Sequence, residues 1–291
     1  MSARLPVIKT YKLFIGGAFP RTESGRAYAV LSSDGRHVLA RACRASRKDV
    51  RDAVVAARKG FESWSKRSAA NRGQILYRMA EMLEHRSVEM VAELANSTGS
   101  SLALARREVQ AAVDRLILYA GWSDKFTHIL GTVNPVATSH FNFSIPEPTG
   151  VVGIIAPDEP SLLGMISVAA PALVGGNAVI LVASEKYPLP SITFAEILAT
   201  SDLPGGVINI LTGFRSELAP TMARHMDINA IVDAGCDHEL SRLAQVEGAA
   251  NVKRMMRRTL NEKSWFGETG QDPYWILDTL EIKTTWHPIG L

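Results

Sequence analysis

Two cysteines, Cys43 and Cys236, are the only thiols in the sequence. A cysteine can act as a nucleophile once it is deprotonated. The two lie far apart in sequence and give no disulfide framework. Cys236 and His238 could both touch one metal ion, but two ligands without partners make a poor site. Lys253, Arg254, Arg257 and Arg258 read as four cations on one or two helical turns. Such a patch suits phosphate, but no aromatic interleaving or basic arm accompanies it, so a solvated or interface face is the favoured reading. No Walker loop, HExxH helix or CxxC pair occurs, so phosphoryl transfer and a structural zinc have no support. The G-x-G-x-x-G fingerprint is absent too. Gly150 and Gly153 permit close strand–helix packing without identifying a dinucleotide.

The elements that must position these groups belong to an ordinary globular chain. It has 291 residues, 46% hydrophobic and 21% charged, with a net charge of +3. That balance excludes disorder and is too weakly basic to imply nucleic acid. The first eleven residues carry Arg4 and Lys9 but no continuous apolar stretch, and the longest apolar run, 162–174, is too short to span a bilayer. A reducing, cytoplasmic setting is the expectation. Short apolar runs at 13–15, 27–31 and 38–42 read as strands. Ser46, with Asp49 three residues on, caps a helix whose apolar face is Val50, Val54, Ala57, Phe61 and Trp64. Three further helical runs follow, the last over 102–122. The segment 140–145 alternates like an edge or hairpin strand. From Gly150 the period changes: β-branched runs at 150–155, 178–182, 207–211 and 228–232 alternate with helices. This predicts an α/β fold, a parallel sheet with helices on both faces. The tail breaks the rhythm with a glycine-containing loop at 264–271 and an alternating strand bounded by Leu280 and Trp286.

At this level of detail the residues carry a resemblance. The stretch Tyr11-Lys-Leu-Phe-Ile-Gly-Gly, then Glu108 to Arg115 and Tyr119-Ala-Gly-Trp, Glu147-Pro-Thr-Gly-Val-Val-Gly-Ile-Ile-Ala-Pro, Gly176-Asn-Ala-Val-Ile-Leu and Leu203-Pro-Gly-Gly-Val-Ile-Asn-Ile-Leu-Thr-Gly are similar to the NAD-binding half of aldehyde dehydrogenases. It resumes at Trp265-Phe-Gly-Glu-Thr-Gly and at Leu280-Glu-Ile-Lys-Thr-Thr-Trp, which resemble the family's C-terminal glycine loop and oligomerisation strand. The resemblance implies a Rossmann-type domain over 1–134 and 149–258, oligomerisation strands in 135–148 and 265–291, and no catalytic domain between them. It also extends to the truncated, cysteine-less second module of two-module members.

Departures from the family pattern leave its three catalytic roles vacant. The nucleophilic cysteine belongs to the missing domain. Asp158 stands where the pattern has an oxyanion-stabilising asparagine, and like charge would repel an oxyanion. An ungapped reading puts Arg258 at the general-base glutamate. The catalytic set is therefore expected to be empty. The cofactor set is half retained: Glu185, from the family's Lys-Pro-Ser-Glu, without its lysine; Gly206; Gly235; and Cys236 in place of serine in the pyrophosphate turn. Leu240 replaces a glycine there. No metal is implied, no cofactor is required, and NAD(P) remains possible. The expected function is a non-catalytic subunit that pairs with a full-length aldehyde dehydrogenase, or with itself, through Leu280 to Trp286. The alternatives are an NAD(P)-dependent oxidoreductase acting on aldehydes through a rearranged site, and a dinucleotide-sensing module. Neither nucleic acid nor membrane is an expected partner.

Overall fold

Continuous β-branched runs bury both faces, and so demand a covering layer on each side. In the computed structural model, which describes residues 7–290, those runs form one five-stranded parallel sheet. Residues 1–6 lie outside it, and with them much of the N-terminal stretch read for a leader. The strands are β6 (Val151–Ile155), β7 (Ala178–Val182), β8 (Ile208–Leu211), β9 (Ala230–Asp233) and β10 (Arg254–Arg257). Their order is β10-β9-β6-β7-β8, all neighbours parallel. Every residue of β6 to β9 is buried.

Side chains alternate between the two faces. Val151, Ile155, Ile180, Val182 and Ile231 pack with α1 (Arg47–Trp64), α8 (Arg215–Arg224) and α9 (His238–Ala249). Val152, Ile154, Val179, Leu181 and Val232 pack with α2 (Ala69–His85), α4 (Leu102–Trp122), α6 (Ser161–Val174) and α7 (Leu189–Leu198). The capping box at Ser46 and Asp49 forms as expected. Asp49 does more than cap its helix, since it also accepts from Thr22 Oγ1 at 2.6 Å and Glu23 N at 3.1 Å. That ties α1 to the small sheet of β1 (Thr10–Tyr11), β2 (Ala27–Leu31) and β3 (Val38–Cys43). The remaining helices are α3 (Ser87–Thr98), α5 (Phe126–Leu130) and α10 (Glu262–Phe266).

Three expectations are corrected. The basic run at 253–258 is not helical, because it supplies β10, the fifth strand. Period-two geometry splits its cations between the faces, so they form no single patch. Lys253 is buried and donates to His225 O at 2.6 Å and Asn251 Oδ1 at 2.8 Å. Arg254 pairs with Glu281 at 2.8 Å. Arg258 pairs with Asp278 and lies 4.7 Å from the Trp275 ring centroid. The segment 264–271 is α10 and a 3-10 turn rather than an open loop, capped by Asn261. The sheet expected from 135–148 and 265–291 begins before 135, since its strands are β4 (Thr132–Asn134), β5 (His140–Pro148) and β11 (Leu280–Pro288), in the order β11-β5-β4.

The tail between β10 and β11 buries Trp265 and Ile276 in the core and is fastened there by polar groups as well. Arg115, on α4 and almost fully buried, donates to Ser167 Oγ, Gly270 O and, at 3.0 Å, Trp265 O. Among the described residues no carboxylate pairs with this cation, so main-chain and hydroxyl dipoles solvate it instead. Tyr119 Oη donates to Asp272 O at 3.1 Å, and Asn177 Nδ2 to Thr279 O at 3.0 Å. Replacing Arg115 with methionine keeps the apolar stem but orphans two buried carbonyls, each worth about 1–3 kcal/mol. Arg115→Met is expected to lower unfolding stability by about 2 kcal/mol or more, and to expose the bonds around Trp265 and Gly270 to limited proteolysis. A variant as stable and as protease-resistant as the parent would show that the tail is held without Arg115.

Candidate functional site

A parallel sheet whose strand order reverses opens a crevice beyond the carboxyl ends of its strands. Here the reversal is at β6, with β7 on one side and β9 on the other. The crevice widens into a cleft of about 1030 Å³ lined by Tyr28, Asp158, Glu185, Phe214, Arg215 and Gly235, among others.

An ion pair fills the base of this cleft. Arg215, the first residue of α8, reaches back over the strand ends. Its Nη1 donates to Asp158 Oδ2 at 2.7 Å, and its Nη2 donates to Asp158 Oδ1 and to Ala156 O, both at 2.8 Å. The pair is bidentate, the strongest form an arginine–carboxylate contact takes. Its partners differ in exposure: the Arg215 side chain is 9% exposed and that of Asp158 35%. Asp158 accepts in addition from Ser184 Oγ at 2.8 Å and Lys186 N at 3.2 Å. Burial pushes its pKa up, but the guanidinium and these donors outweigh burial and hold the carboxyl below its ordinary value. Glu159 does not line the cleft; it pairs with Lys186 Nζ at 2.9 Å, both side chains well exposed.

Of the four residues expected from sequence to hold a cofactor, three meet here. Glu185 lines the cleft, and its Oε2 accepts the Arg215 backbone N–H at 2.9 Å. It therefore serves the first turn of α8, whose N-cap residue, Phe214, has no side-chain oxygen to do so. Gly235 lies against Arg215 so closely that a Cβ would stand 2.2 Å from Ala156 O and 2.8 Å from Arg215 Nε. Cys236 is half-buried in the cleft, its N–H donated to Asp233 Oδ1 at 2.9 Å. Burial, reinforced by Asp233, pushes its thiol far above the ordinary range, so it is a protonated thiol at neutral pH. Leu240 borders the cleft and caps onto Asp237 at 2.8 Å. Gly206 is the exception and a correction. It precedes β8 and so lies at the opposite end of the sheet, where φ +90° and the approach of Ala56 O, 2.3 Å from a would-be Cβ, call for glycine. There it lets α1 pack against the turn, and it lies outside the cleft lining.

Arg258, which the ungapped reading placed at the general-base position, is committed to Asp278. Cys43 is buried in β3, away from the cleft lining. Among the described residues, no group of three or more His, Cys, Asp or Glu side chains could hold a metal ion. No described helix is long and apolar enough to cross a membrane.

Sequence reasoning missed two residues. One is Arg215, whose partner is 57 positions away. The available signal was topological: opposite charges just after two strands of one parallel sheet must meet at the same end. The other is Glu108, whose Oε1 accepts from Leu162 N at 2.8 Å and Leu163 N at 3.2 Å. It caps α6 from a neighbouring helix, because the N-cap residue, Pro160, has no side-chain oxygen.

The aldehyde dehydrogenase family profile matches residues 19–259. The chain belongs to the aldehyde dehydrogenase family. It is 32% identical over 245 residues to an aldehyde dehydrogenase of Alternaria alternata, covering 84% of this chain and 49% of that protein. It is 30% identical over 255 residues to omega-crystallin of Enteroctopus dofleini, covering 86% and 51%. An NAD+ complex of a Bacillus cereus aldehyde dehydrogenase superposes with a TM-score of 0.81 at 28% identity, covering 86% of this chain and 50% of that one. The chain thus spans about half the length of these relatives, and its fold is that of a protein solved with NAD+.

Two outcomes follow for this aldehyde dehydrogenase family chain. Because the Cys236 thiol is held protonated, its alkylation by iodoacetamide near pH 8 should be at least roughly ten-fold slower than that of an unfolded control, followed by mass spectrometry. Equal rates would mean an accessible thiolate. The Asp158 carboxyl is held low in the folded state, so its contribution to stability is complete above the unfolded carboxylate range and fades as pH falls through the folded value. Asp158→Asn should therefore be less stable than the parent at neutral pH, and the gap should close below about pH 4. Urea unfolding at several pH values reads this directly, and a gap independent of pH would contradict it.

Proposed function

We propose that the chain is a non-catalytic aldehyde dehydrogenase-family subunit that assembles with a full-length aldehyde dehydrogenase through the free edge of β11. The observation that carries this reading is the strand itself. β11 pairs with β5 along its whole length, Leu280 opposite Pro148 through Pro288 opposite His140, and is the terminal strand of its sheet. All but its first residue is exposed. An unpaired edge this long is a template for strand addition. The sheet also presents Phe141 and Ile145 on one face and Ile282 and Trp286 on the other, each more than a third exposed.

Support for a non-catalytic role comes from the thiols and the crevice. Cys236 is held protonated, Cys43 is buried in a strand, and a carboxylate paired with arginine stands where the family pattern has an amide donor. Two thiols that remain unpaired fit a cytoplasmic setting. A second reading, an NAD(P)-dependent oxidoreductase or a dinucleotide sensor, draws on the open cleft and on the relative solved with NAD+.

Light scattering after size-exclusion distinguishes them. The chain mixed with a full-length aldehyde dehydrogenase from the same source should elute as a mixed assembly, and Thr284→Pro, which blocks strand addition, should abolish it. Independent elution at all concentrations counts against assembly. Aldehyde-dependent NADH formation by the pure chain would replace this reading with the second.

A further inference from the structure

The base of the cleft already contains an anion, and it belongs to the protein. The Asp158 carboxylate sits bidentate on Arg215, directly over the Gly235 turn at the head of α9. A phosphate makes the same fork-to-fork contact with a guanidinium. Asp158 therefore occupies the position in which Arg215 would receive a phosphate group.

The two partners are not equally free to leave. Arg215 is buried, donates to the fixed carbonyl of Ala156, and has its Nε buried without any acceptor. Asp158 is a third exposed and is held otherwise by one hydroxyl and one backbone amide. Its carboxylate can turn out toward solvent while the guanidinium stays in place. The wall around them is predominantly acidic, with Asp158, Glu185 and Asp237 against Arg215 and Lys186. Arg215 is thus the buried cation of this cleft, and it is neutralised from within.

We propose that Arg215 is a phosphate-receiving residue and Asp158 its built-in competitor: the cleft takes a nucleotide phosphate only as the Asp158 carboxylate gives up the guanidinium. This deepens the reading of the cleft as a nucleotide site and does not depend on assembly with a partner. It makes Asp158 a determinant of affinity, and it predicts weak binding of phosphate-bearing ligands by the natural sequence.

Calorimetry with inorganic pyrophosphate, ADP and NAD+ tests the proposal on the full chain. Asp158→Asn keeps the shape and removes the competing charge, and should bind pyrophosphate and ADP roughly ten-fold or more tighter than the parent. Ser184→Ala leaves Arg215 untouched and removes the competitor's hydroxyl donor, together with the acceptor of the Tyr187 N–H, so it should give a smaller gain of the same sign. This second variant serves if Asp158→Asn folds poorly, which circular dichroism reports. In Asp158→Asn with Arg215→Ala the gain should vanish, since relieved repulsion alone would survive the loss of Arg215. Binding of pyrophosphate without NAD+ would uphold the competitor and remove the dinucleotide reading. A parent that binds as tightly as Asp158→Asn, no gain in either single variant, or a gain that persists without Arg215 would each overturn the proposal.

Discussion

A parallel sheet buried on both faces has to satisfy its backbone at the strand ends with very few buried polar side chains, and the rest of this structure depends on that. Asn177 shows how. Its Oδ1 accepts Gly150 N at 2.9 Å, and its Nδ2 donates to Ala172 O at 3.1 Å and Thr279 O at 3.0 Å. One amide thereby joins the start of β6, the end of α6 and the residue before β11. Asn209 does the same at the other flank, reaching Val179 O at 3.2 Å, Gly206 O at 2.8 Å and Gly16 N at 2.9 Å. Both are fully buried, where each lost partner has its full desolvation penalty. The sheet core is apolar and generic, whereas these amides fix which loop meets which strand.

Much of the architecture was legible because periodicity is a local property. The β-branched runs became β6 to β9, and the Ser46–Asp49 box and the long helix at 102–122 stand where they were expected. The basic run was misread for a physical reason. Four charges in six residues look like a solvated surface, yet Met255 and Met256 between them pack on opposite cores, which only a strand allows. Three of its cations are spent on Asp278, Glu281 and carbonyls of the tail and a neighbouring turn, while Arg257 is exposed. Those partners are set by tertiary packing, and no window of sequence contains them.

The candidate site was legible by halves for the same reason. Glu185, Gly235 and Cys236 gather at the cleft because each directly follows a strand of one sheet. Gly206 precedes its strand, and that alone puts it at the wrong end. What local pattern did not supply was the pairing of charges across the gap, which only the topology of the sheet implies. Asp158 alone suggests repulsion of an anion; Asp158 locked to Arg215 is a neutral pair with a latent positive half. The chemical character of the cleft belongs to the pair.

The fastening of the tail also governs when the edge of β11 comes into being. Thr279 is bonded to α6 through Asn177, and Leu280 O and Glu281 to Arg254 on β10, just where the strand starts. The register of all nine residues against β5 is inherited from those anchors. They join segments more than a hundred residues apart in the case of Asn177 and Thr279, and such long-range contacts close late in folding. A half-folded chain thus has the sequence of an adhesive strand without its alignment. Any partner that adds to the aligned edge is, in effect, inspecting the finished body of the molecule before accepting it.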